Sequence, residues 1–99
     1  LLQQTLHHPK LKKYFSVGLK VKNEEDILLE NGKVIRPDRL VFMPDGITII
    51  DYKTGAPLAS HEEQILTYRS HIVSMGYPVI SCVLVYINEE CVELNEVVL

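Results

Sequence analysis

Tryptophan is absent from this sequence of 99 residues, and cysteine and phenylalanine occur only twice each. Two cysteines are too few for a four-thiolate zinc or iron–sulfur site. Cys82 and Cys91 are expected as reduced thiols in a reducing, cytoplasmic setting, although one pair is enough for a single bridge. No apolar run approaches the roughly 20 residues that cross a bilayer, so no membrane partner is expected. The first residues lack the basic start, apolar middle and small-residue cleavage site of a signal peptide. Also missing is a basic surplus: 10 Lys+Arg stand against 13 Asp+Glu, a formal net charge of −3. That argues against a protein that holds nucleic acid by charge alone. It leaves room for an enzyme that holds metal ions with carboxylates.

What is there suits one globular domain. At 46% hydrophobic and 23% charged residues, the chain is too apolar to stay disordered. It is long enough to bury a core without disulfides or a structural metal. It begins Leu1-Leu2-Gln3-Gln4 with no initiator Met, and residues 1–99 read as a single-domain fragment of a longer polypeptide.

The pattern along the chain predicts an α/β fold. Leu1, Leu2 and Leu6 mark one helical face, and Pro9 suits the first position of a second short helix reaching Phe15. The period then changes to two. Strand segments are expected over Leu19–Lys22 and Asp26–Glu30, with Asn31-Gly32 as a tight hairpin turn. Val34–Met43 reads as the next strand, Pro44-Asp45-Gly46 as a turn, and Ile47–Lys53 as the most β-rich run. Thr54-Gly55-Ala56-Pro57 breaks it. Ser60 and Glu63 fit a capping box that would open a helix, with Ile65, Ile72 and Val73 as its buried stripe. Gly76 closes that helix, and Pro78 lies just beyond. Val79–Ile87 reads as a central strand buried on both faces, and Cys91–Leu99 as a last, more polar one. Helices packed on a mixed sheet follow from this order.

Three charged side chains fall where strands usually carry apolar ones. Asp51 and Lys53 share a face, because side chains alternate along a strand. Counting back across the Pro44–Gly46 turn brings Asp38 near the level of Asp51 on the adjacent strand. Two carboxylates about 4 Å apart repel by about 4 kcal/mol at an effective dielectric near 20. Either one is protonated or a cation lies between them. Oxygen ligands favour Mg²⁺ or Mn²⁺, and the Tyr52 carbonyl could add a ligand. Lys53 beside such an ion would meet a phosphate or orient a water. Taken alone, Asp51 and Lys53 would read as a weak surface ion pair; Asp38 opposite them turns the balance. Gln64 and Tyr68, four apart on the following helix, stand one above the other and could grip a phosphate or a base. Arg36, Arg39 and Arg69 read as solvated or ion-paired side chains or, if the ligand is a nucleic acid, as contacts to its backbone. Lys10, Lys12, Lys13, Lys20 and Lys22 read as a solvated basic face or a DNA-approach surface.

Arg36-Pro37-Asp38-Arg39, Ile50-Asp51-Tyr52-Lys53-Thr54-Gly55 and Gln64-Ile65-Leu66-Thr67-Tyr68 together resemble the RecB-like branch of the PD-(D/E)XK nucleases. These are the nuclease domains at the C-termini of UvrD-type helicase–nucleases such as RecB and AddA. The resemblance covers roughly residues 18 to 88. It implies a restriction-endonuclease-like fold, a mixed sheet flanked by helices. It also implies an Mg²⁺- or Mn²⁺-dependent deoxyribonuclease, the exonuclease part of an ATP-dependent helicase–nuclease in double-strand-break repair and recombination. The metal-binding acids map onto Asp38 and Asp51, the lysine onto Lys53, and the Gln-x-x-x-Tyr motif onto Gln64 and Tyr68. A first-strand glutamate maps onto Glu24, with Glu25 as its rival. The implied partners are DNA, the parent helicase domains and a second nuclease or helicase subunit. One departure stands out. Many members carry a metal-binding His on a helix far upstream, whereas His7 and His8 lie only about thirty residues before Asp38. That His is expected outside this chain, so the isolated chain could be inactive. The competing expectation is a catalytically silent, nuclease-like module that binds DNA or a partner subunit.

Overall fold

The computed structural model describes residues 20–24, 26–29, 31–88 and 92–97. The expected N-terminal helices lie outside the described residues, as do His7, His8, Lys10, Lys12, Lys13, Glu25 and Cys91. The described elements are β1 (Lys20–Asn23), β2 (Ile27–Leu28), β3 (Val34–Ile35), β4 (Arg39–Met43), β5 (Gly46–Thr54), α1 (Ala59–Ser74), β6 (Val79–Ile87) and β7 (Val92–Val97). Five strands form one sheet in the order β1-β4-β5-β6-β7, and β2 pairs with β3 in a separate hairpin. Neighbours in the large sheet are antiparallel except β5 and β6, which run parallel. A parallel pair needs a crossover, and α1 supplies it. The α/β class expected from the sequence is the one observed.

Alternation along β5 divides the core in two. Ile47 and Ile49 pack with Leu40, Cys82, Leu84 and Tyr86 under Ile65 and Ile72 of α1. Val41, Ile50, Val83 and Val85 form the core of the opposite face. β6 is buried on both faces from Cys82 to Tyr86, as its unbroken apolar run requires. The Asn31-Gly32 turn forms with Gly32 at φ 84, and the Asn31 side chain accepts from Lys33 N–H at 3.0 Å.

Three local expectations need correction. Val34–Met43 is not one strand, because residues 36–38 separate β3 from β4. Pro37 has no N–H for a ladder, and both the N–H and the carboxylate of Asp38 turn to bond β5 instead. The helix starts at Ala59 rather than at a Ser60 cap. Leu58 is the N-cap, extended at φ −126 and ψ 146, and His61 stands at the third helical position. Val73 is 42% exposed rather than buried. Ile65 and Ile72, seven apart, return to the same face, and one further residue rotates about 100° away from it.

Candidate functional site

The β4–β5 register pairs Arg39 with Ile50, so the next step sets Asp38 opposite Asp51. The two acids interlock through their backbones. Asp38 N–H donates to Asp51 Oδ1 at 3.0 Å, and Tyr52 N–H donates to Asp38 Oδ2 at 2.8 Å. Each carboxylate uses one of its two oxygens in this interlock. The proline two residues into the motif makes this possible. A residue's N–H and C=O leave a strand on the same edge, so the Tyr52 carbonyl projects toward Asp38 as its N–H does. The residue that would face it across the ladder is Pro37, which has no N–H to give.

Asp51 is 3% exposed, and burial raises its carboxyl from 3.8 to about 6. The hydrogen bond from Asp38 N–H works against that rise, the Asp38 charge adds to it, and Lys53 opposes it. The sequence-level dilemma of two apposed acids is thus real, and Asp51 carries the cost.

Lys53 shares the face of Asp51, and its ammonium reaches Gln64 Oε1 at 2.6 Å. An ammonium only donates, so the Gln64 carbonyl must face it and the amide NH₂ must point away. That NH₂ donates to the Tyr68 hydroxyl at 3.1 Å. Tyr68 oxygen is then an acceptor, and its own hydrogen remains to be given elsewhere. Burial raises the Tyr68 phenol above its ordinary value, with the charges of Asp51 and Asp38 adding to the rise. Tyr68 is therefore close enough to the acid pair to feel both charges. Asp38, Asp51, Lys53, Gln64 and Tyr68 meet on the α1 side of the sheet, as expected.

The remaining predicted residues are distributed more widely. Glu24 N–H donates to the Asp38 carbonyl at 3.0 Å, which puts its backbone beside the acid pair. Glu24 has φ 47, a left-handed conformation rare without glycine. Among the described residues no three His, Cys, Asp or Glu side chains group to hold a metal. Tyr52 packs its ring into the opposite face; burial raises its phenol and Arg39 opposes the rise. Arg39 donates to Asn23 Oδ1 at 3.1 Å. Arg36 pairs with Asp26 at 2.8 Å on the surface, both more than 60% exposed. Arg69 carries a buried Nε without a hydrogen-bond partner among the described residues and lies close enough to Cys82 to lower its thiol. Burial outweighs that effect and pushes the Cys82 thiol to about 11, far from a reactive thiolate.

His61 and Tyr86 were not singled out by the sequence. Tyr86, 1% exposed, sits beside Lys53 on β6, and its hydroxyl shares a 3.0 Å hydrogen bond with His61 Nδ1. Burial raises the Tyr86 phenol, and the nearby Leu58 N–H opposes the rise. The available signal was positional: His61 precedes Gln64 by three and Tyr68 by seven on one helical face. An apolar groove lined by Leu28, Leu40, Phe42, Met75 and Tyr77 contains none of these residues.

No family model and no curated protein matches the chain. The crystal structure of SSO0001 is similar, with a TM-score of 0.56 at 22% identity. The likeness covers 90% of this chain and 47% of that one, so the chain spans about half the length of SSO0001. At this identity it shows a shared fold alone. Among the described residues, no helix is long and apolar enough to cross a membrane.

Proposed function

We propose that this chain is a RecB-like nuclease domain of the PD-(D/E)XK type, hydrolysing DNA phosphodiester bonds with a divalent ion. The observation that carries the reading is the interlock of Asp38 and Asp51, with Pro37, which has no N–H to give, at the next register position opposite Tyr52. Two hard, anionic oxygens and one carbonyl oxygen suit Mg²⁺ or Mn²⁺ better than a softer metal. Asp38, Asp51 and the Tyr52 carbonyl would hold that ion. When bound, it supplies charge to the scissile phosphate and makes water more acidic.

The chain's own residues do the rest. Lys53 places a positive charge beside the acids, where negative charge develops on the phosphoryl oxygens. Gln64 fixes its direction. Tyr68, already accepting from Gln64, gives its remaining hydrogen to a phosphate oxygen. The scissile phosphate thus lies between an ammonium and a hydroxyl whose orientations are set before it arrives. Arg36, Arg39 and Arg69 contribute phosphate contacts, but three arginines in a chain of net charge −3 are a thin electrostatic footprint, so further affinity for DNA comes from outside this set. Parent helicase domains and a second nuclease or helicase subunit fit that need, in a cytoplasmic repair complex acting on double-strand ends.

One observation favours a second reading, a silent module that binds DNA or a partner: no third metal-ligating side chain joins Asp38 and Asp51 among the described residues. Calorimetric titration of Mn²⁺ into wild type and Asp51→Asn separates the two. The nuclease reading expects heat of binding that Asp51→Asn loses, and the silent module expects no difference. In the full-length protein, Asp38→Ala, Asp51→Ala and Lys53→Ala should each abolish metal-dependent cutting of a labelled oligonucleotide. Cutting that persists without the two acids refutes the assignment.

A further inference from the structure

Helix α1 begins without the side chain that helices normally use to begin. Its N-cap is Leu58, which offers no acceptor to the free N–H groups of the first turn. Residues 55–60 are exposed, and the buried apolar anchors of the helix, Ile65 and Ile72, start only in its second turn. Gln64, which aims Lys53, stands between the loose start and those anchors.

His61 closes the gap. Its Nδ1 bonds the Tyr86 hydroxyl at 3.0 Å and lies 3.4 Å from Leu58 N–H. The rings of His61 and Tyr86 also meet, with centroids 5.6 Å apart. Tyr86 is a register partner of Lys53 across the parallel pair. Two rungs therefore join the first turns of α1 to the ends of β5 and β6: His61 to Tyr86, and Gln64 to Lys53. They are one helical turn apart. A buried phenol needs a hydrogen-bond partner, so the first rung is strongly placed. The second rung links two long side chains, Lys53 half-buried and Gln64 exposed, and depends on where the helix is held.

We infer that His61 is a positioning residue that, through its bond to Tyr86, sets the depth of the α1 start and so brings Gln64 onto Lys53. This rests on the nuclease reading for its effect on catalysis, but its geometry can be tested apart from it. His61 touches neither the acid pair nor the phosphate site; it acts through Gln64. Asparagine places an acceptor near the position of a histidine Nδ1, so His61→Asn should preserve the rung that His61→Ala removes.

The test uses the full-length protein as wild type, His61→Ala, His61→Asn, Gln64→Ala and the double variant His61→Ala/Gln64→Ala. Steady-state cleavage of a labelled oligonucleotide in Mn²⁺ is followed together with the side-chain amide signals of Gln64 by NMR. His61→Ala should lower kcat about tenfold with KM unchanged, since misplacement of an aimed group costs rate rather than binding. His61→Asn should restore kcat. The double variant should be no slower than Gln64→Ala, because both changes break one chain of contacts. An unaltered kcat in His61→Ala, a KM effect instead, or losses that multiply in the double variant would each overturn the inference. Asp51→Ala is assayed alongside these; cutting that survives it removes the nuclease reading, and the Gln64 signals then decide. They should shift in His61→Ala and return in His61→Asn; signals that stay put overturn the positioning role.

Discussion

Replacing Asp51 by asparagine should make the folded chain more stable at neutral pH while removing its metal affinity. Asp51 is 3% exposed, and its carboxyl is raised from 3.8 to about 6. Ionising it is therefore harder in the folded than in the unfolded chain. The folded state has its full advantage below about pH 4 and loses it as the pH rises through about 6. The rise corresponds to about 3 kcal/mol at pH 7.5. Asparagine keeps an oxygen for Asp38 N–H but adds an NH₂ that must find its own partner, a cost of about 1 kcal/mol. The net gain is then about 2 kcal/mol, which for a domain of this size raises Tm by roughly 8–16 °C. Thermal melts of wild type and Asp51→Asn, in chelator at pH 7.5 and at pH 4, provide the assay. The gap should be wide at pH 7.5 and close toward pH 4. Mn²⁺ at about a hundred times its Kd should then add about 2.7 kcal/mol to the wild type and leave Asp51→Asn where it was. Equal melting of the two proteins at pH 7.5 in chelator would show that the acid pair costs the fold nothing. The case for a site poised around a missing charge would fail with it.

Tyr68→Phe removes the hydroxyl that Gln64 supports but leaves the acid pair intact, so Mn²⁺ binding by calorimetry should be unchanged while kcat falls about tenfold or more. Gly46→Ala should destabilise the chain by about 1–3 kcal/mol in urea unfolding. Gly46 has φ 152, and an added Cβ would lie 2.7 Å from the backbone oxygen of Pro78, at the point where β5 meets the start of β6.

Asp38, Asp51 and Lys53 could be aligned before any coordinates because strand alternation and a hairpin turn are local rules. The Pro44–Gly46 turn fixes the register of β4 on β5, and the register puts the acids opposite one another. The Gln64–Tyr68 pair followed from helical spacing in the same way. The start of α1 was misread for a related reason: Ser60 and Glu63 satisfy a local capping pattern, but the helix is held at its start by a contact between distant residues. His61 and Tyr86 lie 25 residues apart in sequence, and no periodicity links them. The split of Val34–Met43 has one local sign, Pro37, which cannot give a ladder N–H; that Asp38 turns its N–H and carboxylate onto β5 depends on the paired strand.

The amino-acid order alone determined the α/β class, the hairpin turns, the crossover helix and the shared face of the acids and the lysine. Each of these is a matter of neighbours along the chain. The tertiary structure decided which groups are desolvated and who satisfies whom: the burial that raises Asp51, the Pro37 gap opposite Tyr52, the Lys53–Gln64–Tyr68 order of donation, and the His61–Tyr86 brace. Those depend on solvent exclusion and on hydrogen bonds between separate elements, and both exist only once the strands have paired and α1 has closed over the sheet.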